Sequence, residues 1–159
     1  MVTSSVRALL LGAVLACGLI GMIHPVGAQS NDMLDQILAE SELSYGSAAW
    51  LALRATDRIA DSATGGESVA GLEALGHGIA HRAPDEAISL GEYSFLLMRL
   101  LDLEGGILYR LMPGPRYATR ELVAGRVVQG NAYSSMTLSG ERSVRILARA
   151  IAYRDGERL

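Results

Sequence analysis

The chain has 159 residues and one cysteine, and 14 basic against 17 acidic residues give it a net charge of −3. This balance excludes a general electrostatic attraction to nucleic acid, and a single cysteine excludes an internal disulfide framework. The length is enough for one domain that buries its own core.

The first 28 residues are predicted to be an export signal rather than part of the fold. Arg7 precedes an apolar run over residues 8–23, Pro25 ends that run, and Val26-Gly-Ala28 supplies the small residues that a signal peptidase reads. We therefore expect cleavage after Ala28. About 16 apolar residues are fewer than the roughly 20 that a membrane-spanning helix needs.

The mature chain would then be residues 29–159, a single helical domain with no transmembrane segment and no thiol chemistry. An exported chain of this kind belongs in the periplasm or cell envelope. Lipidation at Cys17, which follows Val14-Leu-Ala16, is the alternative to cleavage after Ala28.

Beyond the signal, apolar residues recur at helical spacing and no stretch alternates as a strand does. The helix over Glu92 to Asp102 is apolar nearly all round, which favours a place in the middle of the domain. The predicted helices and turns are Asp32 to about Ser41, Ser47 to Ala60, Glu67 to Leu75 closing at Gly76 or Gly78, Glu92 to Asp102, an irregular turn over Ile107 to Met112, Pro115 to Gly125, and Gly140 to Tyr153.

Three of these helices open with variations on one sequence. With Gly46, Gly91 and Gly140 aligned, the spacings are 45 and 49 residues, a period typical of helical repeats. The chain is therefore predicted to be all-α, with three helix-loop-helix repeats over about residues 32–60, 67–102 and 115–153. The same alignment gives Trp50, Phe95 and Val144 equivalent positions, so we interpret them as core residues.

This helix-loop-helix unit resembles the S-layer homology module. The resemblance rests on Val123-Ala-Gly125, Gln129-Gly-Asn131 and Gly140-Glu141 in the third copy, on Gly91-Glu92 in the second and on Gly46 in the first. It implies a three-repeat, all-helical pseudo-trimer that holds envelope proteins on cell-wall polysaccharide.

The chain departs from the family pattern at the position where the family motif has an arginine. In the three copies that position is occupied by Tyr45, Leu90 and Ser139. If that arginine contacts the glycan in the family, all three copies here have lost it. A second resemblance, over Gly105 to Glu121, is to small uncharacterised exported proteins of spirochaetes, and it implies a cell-envelope location without a known chemistry.

The segment around the Pro113 to Pro115 corner is the predicted ligand-binding site. Arg116 and Arg120 lie four residues apart at the start of a helix, where their charges repel unless an anion lies between them. Aromatic faces beside them could stack on sugars or peptides. Structural ion pairs to Asp102, Glu104 or Glu121 are the alternative. The candidate residues are Tyr109, Arg110, Arg116, Tyr117 and Arg120.

Other patterns give weaker hypotheses. His77 and His81 have the spacing of two metal ligands, with Asp85 and Glu86 as further donors for a metal hydrolase, but no third ligand is set by spacing. The arginines at 142, 145 and 149 are predicted to form a solvated helix face, with docking of an acidic partner or peripheral association with anionic lipid as the alternative.

The chain carries no spacing typical of a catalytic triad or a phosphate-binding loop, so neither enzyme activity nor a cofactor is predicted. The first hypothesis is a non-catalytic envelope module that binds an anionic or glycan polymer. The second is a periplasmic accessory subunit that docks on a larger membrane or secreted protein, suggested by the missing family arginines and the apolar helix over Glu92 to Asp102.

Overall fold

The computed structural model describes residues 26–157, with side chains from residue 32. The described range contains seven α-helices and no β-strand, which confirms the all-α prediction. The helices are α1 (Val26–Ala39), α2 (Tyr45–Arg54), α3 (Gly65–Ala74), α4 (Leu90–Leu100), α5 (Ile107–Leu111), α6 (Pro115–Ala124) and α7 (Gly140–Arg154). None of them is both long and apolar enough to cross a membrane.

The predicted helix ends differ from the observed ones mainly at α1 and α2. Helix α1 begins at Val26, earlier than the predicted Asp32. Helix α2 ends at Arg54, whereas the prediction continued to Ala60. It stops because the chain turns through Asp57, whose φ of 53° is left-handed. Most of the predicted export signal, including Cys17, lies outside the described residues.

Helix α3 ends at Ala74, and Gly76, one of the two glycines predicted to close it, lies in its C-terminal capping turn. The Gly76 amide donates to the Glu73 carbonyl, and the His77 amide donates to the Leu72 carbonyl at 2.8 Å. This pair of hydrogen bonds is a Schellman motif, which requires one residue with a left-handed backbone. Glycine adopts that conformation without strain, and Gly76 has a φ of 69°. Pro115 is likewise the first residue of α6, as predicted.

A serine side chain caps each of the three helices α2, α4 and α7. Ser44, Ser89 and Ser139 accept hydrogen bonds from the backbone amides three residues ahead. Aligning these caps places Gly140 opposite Tyr45 and Leu90, rather than opposite Gly91. The glycine-based alignment of the third helix is therefore wrong by one residue.

The residues just before these caps meet at the centre of the molecule. Leu43, Ile88 and Leu138, which we call the central trio, are at most 2 % exposed. The Ile88 amide donates to the Leu43 carbonyl at 2.9 Å, and the Leu43 amide donates to the Leu138 carbonyl at 2.7 Å. The second and third segments join where the Leu90 amide donates to the Met136 carbonyl at 2.8 Å. Backbone hydrogen bonds therefore connect each of the three segments to the other two.

Three further helices each pack on one of the serine-capped helices. Helix α3 packs on α2, α6 packs on α4, and α1 packs on α7. The contact between α1 and α7 brings together the two ends of the described chain. Helix α4 is buried along most of its length, as predicted, so its apolar residues form core and supply no docking surface. Trp50 is buried, whereas Phe95 and Val144 are half-buried against the core.

Candidate functional site

A groove runs between α6 and the loop that leads into α7. Its volume is ≈ 430 Å³. On the helix side, Arg116, Thr119, Arg120 and Val123 fall on one face of α6 because they are spaced by three or four residues. The loop forms the other wall, and we call this cavity the α6 groove. Its lining residues are Arg116, Thr119, Arg120, Val123, Ala124, Ala132, Tyr133 and Ser134.

Gly91 sets the position of both walls of the α6 groove. A Cβ at this position would lie 3.0 Å from Pro115 Cβ and 2.8 Å from the Ser134 carbonyl oxygen. The Gly91 amide donates to that same carbonyl at 2.8 Å. Because glycine has no side chain, the start of α6 and the loop both approach the start of α4 closely.

Arg142 positions the loop from the other side. Its guanidinium donates to the Gln129 carbonyl at 3.4 Å and to the Asn131 carbonyl. The predicted solvated arginine face is therefore wrong for Arg142, which binds the loop; Arg142 and Arg149 are half-buried, and Arg145 is exposed. Arg142 holds the loop two residues before Tyr133, so it contributes indirectly to the shape of the α6 groove.

Positive charge is concentrated on the helix side of this groove. Arg116 and Arg120 are exposed and form no ion pair within the part of the chain that the structure describes. The Glu121 carboxylate, one of the partners considered from sequence, lies beside Gly106 instead. Two adjacent cations at the start of a helix favour an anionic ligand, since the helix dipole acts in the same direction.

Tyr133 is the aromatic residue that lines this groove, and it was not identified from the sequence. It lies in the loop opposite the two arginines and is 74 % exposed. Its only signal in the sequence is an aromatic residue within a loop of small and polar residues, 130–135. An exposed tyrosine offers an apolar face for stacking and a hydroxyl for hydrogen bonding.

The structure separates the other predicted site residues from this groove. Tyr109 packs edge-on against Phe95, with ring centroids 6.3 Å apart, and burial raises the pKa of its hydroxyl. Arg110 is exposed and lies 3.9 Å from Glu104, the structural pairing considered from sequence. Tyr117 is half-buried and does not line the groove. Of the five predicted residues, the groove therefore brings together Arg116 and Arg120.

His77 and His81 lie in the loop between α3 and α4, not on a helix. His77 is half-buried, and its buried Nδ1 has no hydrogen-bond partner in the described range. His81 is exposed, with a left-handed φ of 61°. Among the residues that the structure describes, no three metal-ligating side chains come together.

His77 is expected to make stability depend on pH. Burial, with the nearby charges of Arg99 and Arg58, holds the pKa of His77 below its usual value, while the Gly76 backbone and, more weakly, Asp102 act in the opposite direction. The unfolded chain then binds more protons than the folded one as the pH falls below about 6.5. We expect the urea midpoint of unfolding to decrease as the pH is lowered from about 7.5 to 5.5. The H77Q variant should show a smaller decrease, that is, a flatter slope of midpoint against pH.

The matched control for this prediction is H81N, at an exposed position where asparagine tolerates the left-handed backbone. It should keep the full slope of the parent protein. An unchanged slope in H77Q would show that other groups cause the pH dependence.

Comparison with known proteins gives no relative from which a function could be transferred. No protein-family model, curated protein or solved structure matches this chain.

Proposed function

We propose that this chain is an exported, non-catalytic module of the cell envelope that binds an anionic or glycan polymer in the α6 groove. The observation that carries the proposal is the pair Arg116 and Arg120, exposed beside an aromatic residue and without a carboxylate partner in the described range. Arginine pairs planar anions through two parallel hydrogen bonds, so carboxylate or phosphate groups of a polymer fit this wall.

The groove also suits a saccharide backbone. Tyr133 faces the arginine side from the loop, so a sugar ring stacked on it would place its acidic substituents toward α6. Val123 on the helix wall and Ala132 on the loop wall add apolar surface to the groove. A groove with few polar groups and two cations orients a ligand by its charges and binds it by its apolar faces.

We further propose that the fold is a three-repeat arrangement similar to the S-layer homology domain. Support comes from the three serine caps, the central trio and the pairing of each capped helix with one outer helix. With the caps aligned, the family arginine position falls on Tyr45, Leu90 and Gly140, all of them buried. Those positions supply no charge for a ligand, so binding is assigned to the α6 groove instead.

The test is a charge reversal of the two groove arginines, R116E/R120E. We expect this variant to lose co-sedimentation with purified cell wall, because two attractive contacts become repulsive at the same groove. The far-ultraviolet circular dichroism should not change, since both side chains are exposed.

The matched control is R145E/R149E, which makes the same charge change at the same spacing on α7. It should sediment as the parent protein does. Equal losses in both variants would mean that overall charge governs binding, and undiminished sedimentation of R116E/R120E would remove the site assignment.

A further inference from the structure

A small polar pocket lies between α7 and the segment that follows α6. Arg142, Arg145 and Arg149 form its helix side, because residues three, four and seven positions apart fall on one face of a helix. Gln129 and Gly130 form the opposite side, and the volume is ≈ 260 Å³. We call this cavity the α7 pocket. It brings three arginines together against a turn of the backbone.

Arg142 holds the two sides of the α7 pocket together. Its guanidinium donates to the carbonyls of Gln129 and Asn131, and the Gln129 side chain donates to the Arg126 carbonyl at 3.3 Å. Gly130, between those two carbonyls, has a left-handed φ of 77°, which glycine adopts without strain. Arg142 is therefore a positioning residue: it fixes the turn, and its charge adds to that of the other two arginines.

Arg149 is the arginine of this pocket whose hydrogen-bonding capacity is unused. It is half-buried on α7, and within the described range its guanidinium has neither an ion pair nor a hydrogen bond. A guanidinium carries five N–H donors. Arg145, one turn earlier, lies 3.4 Å from Glu141, but both side chains are exposed and such a pair is weak. An anion in the pocket gains the donors of Arg149 and competes with Glu141 for Arg145.

Charge and size identify the chemical class of that anion. Three arginines and the single carboxylate of Glu141 leave a net charge of about +2 around the pocket, which a phosphate dianion matches. Phosphate also offers three acceptor oxygens to converging guanidiniums. The pocket is smaller than a typical cleft for a drug-sized ligand. Ile146, the one apolar side chain among the described lining residues, is 1 % exposed, so the pocket suits a small polar ligand.

We propose that the α7 pocket binds the phosphate group of a small soluble molecule through Arg149 and Arg145. The pocket shares no lining residue with the α6 groove, so this site does not rest on the proposed polymer binding. Bound phosphate reduces the repulsion between like charges four residues apart on α7. Because the unfolded chain lacks the pocket, phosphate is expected to stabilise the folded state.

The experiment titrates inorganic phosphate into the full chain in chloride buffer and records the heat of binding. We expect a single phosphate per chain, with a Kd below about 1 mM at about 0.1 M chloride. Backbone amide NMR spectra of the same samples should show their largest shifts at Gln129, Gly130 and Arg149, the residues around the bound anion.

Two double variants separate the α7 pocket from the α6 groove. R145E/R149E should raise the Kd for phosphate by at least about tenfold and keep co-sedimentation with cell wall. R116E/R120E should lose co-sedimentation and keep the tight phosphate site. Each variant therefore changes one measurement and leaves the other unchanged, so a failure at one site is distinguishable from a failure at the other.

A milder variant covers the case in which R145E/R149E does not fold. R145Q/R149Q keeps polar side chains of similar length, and it should also weaken phosphate binding by at least about tenfold. Its control is R58Q, which removes the charge of an exposed arginine outside the pocket and should bind phosphate as the parent protein does.

Four results would overturn the proposal. A Kd above about 1 mM would mean an adventitious ion only. Loss of phosphate binding in R116E/R120E would move the anion to the α6 groove. Equal weakening by R58Q and R145Q/R149Q would mean that overall charge governs binding. Binding to vesicles that contain phosphatidic acid, without binding of inorganic phosphate, would mean that the arginines contact a lipid surface.

Discussion

Replacing Gly140 by alanine is expected to destabilise the protein by about 3 kcal/mol or more. This loss is at the upper end of the range for substitutions that overpack a core. A Cβ at this position would overlap the Ile37 carbonyl oxygen and lie 2.6 Å from the carbonyl carbon. These atoms belong to the backbone of α1, so no side-chain rotation can make room. The Gly140 amide also donates to the Glu40 carbonyl at 2.9 Å, and separating the helices would break this hydrogen bond.

The matched control is Gly66→Ala in α3, where a Cβ would meet no atom within 4 Å. Alanine there should be neutral or stabilising by up to about 1 kcal/mol, because glycine is a poor helix former. Urea unfolding of both variants measures the difference. Equal midpoints for G140A and the parent protein would contradict the observed approach of α1 to α7.

Replacing Leu138 by alanine is expected to cost about 2–5 kcal/mol, the range for large-to-small changes in a packed core. Leu138 is 2 % exposed and belongs to the central trio with Leu43 and Ile88. Its carbonyl accepts a hydrogen bond from the Leu43 amide and the Gly140 amide donates to the Glu40 carbonyl, so the backbone around Leu138 cannot easily collapse into the cavity. The free energy of unfolding in urea is the measurement.

Leu111→Ala provides the comparison for this second prediction. The same change at a side chain that is 73 % exposed should alter stability by no more than about 0.5 kcal/mol. If L138A lost as little as L111A, the central trio would not be the core that joins the three segments. A large loss in L111A would instead show that α5 is covered by contacts within the molecule.

Helices and their local ends follow from the sequence because nearby residues decide them. Pro115 opens α6 and Gly76 closes α3, as predicted, since a ring-fixed φ and a left-handed turn are properties of single residues. The burial of α4 follows from its apolar residues all round. Even so, α2 ends six residues before the predicted Ala60, because Asp57 takes the left-handed backbone that sequence patterns assign to glycine.

The candidate site could be predicted only in part. Arg116 and Arg120 share a face of α6 through helical spacing alone, so the sequence identified them together. Tyr133 joins them because Gly91 lets the loop approach the start of α4 and Arg142 holds the carbonyls before it. Those contacts join residues far apart in the chain, and no local pattern encodes them.

By itself, then, the sequence determined the helical class, the positions of most helices and the two arginines of the groove, because each depends on residues within a few positions of one another. The tertiary structure alone decided the one-residue shift at Ser139, the separation of Tyr109 from the α6 groove and the pairing of α1 with α7. The physical reason is that side-chain packing and hydrogen bonds between distant segments select one arrangement among the many that the same helices could adopt.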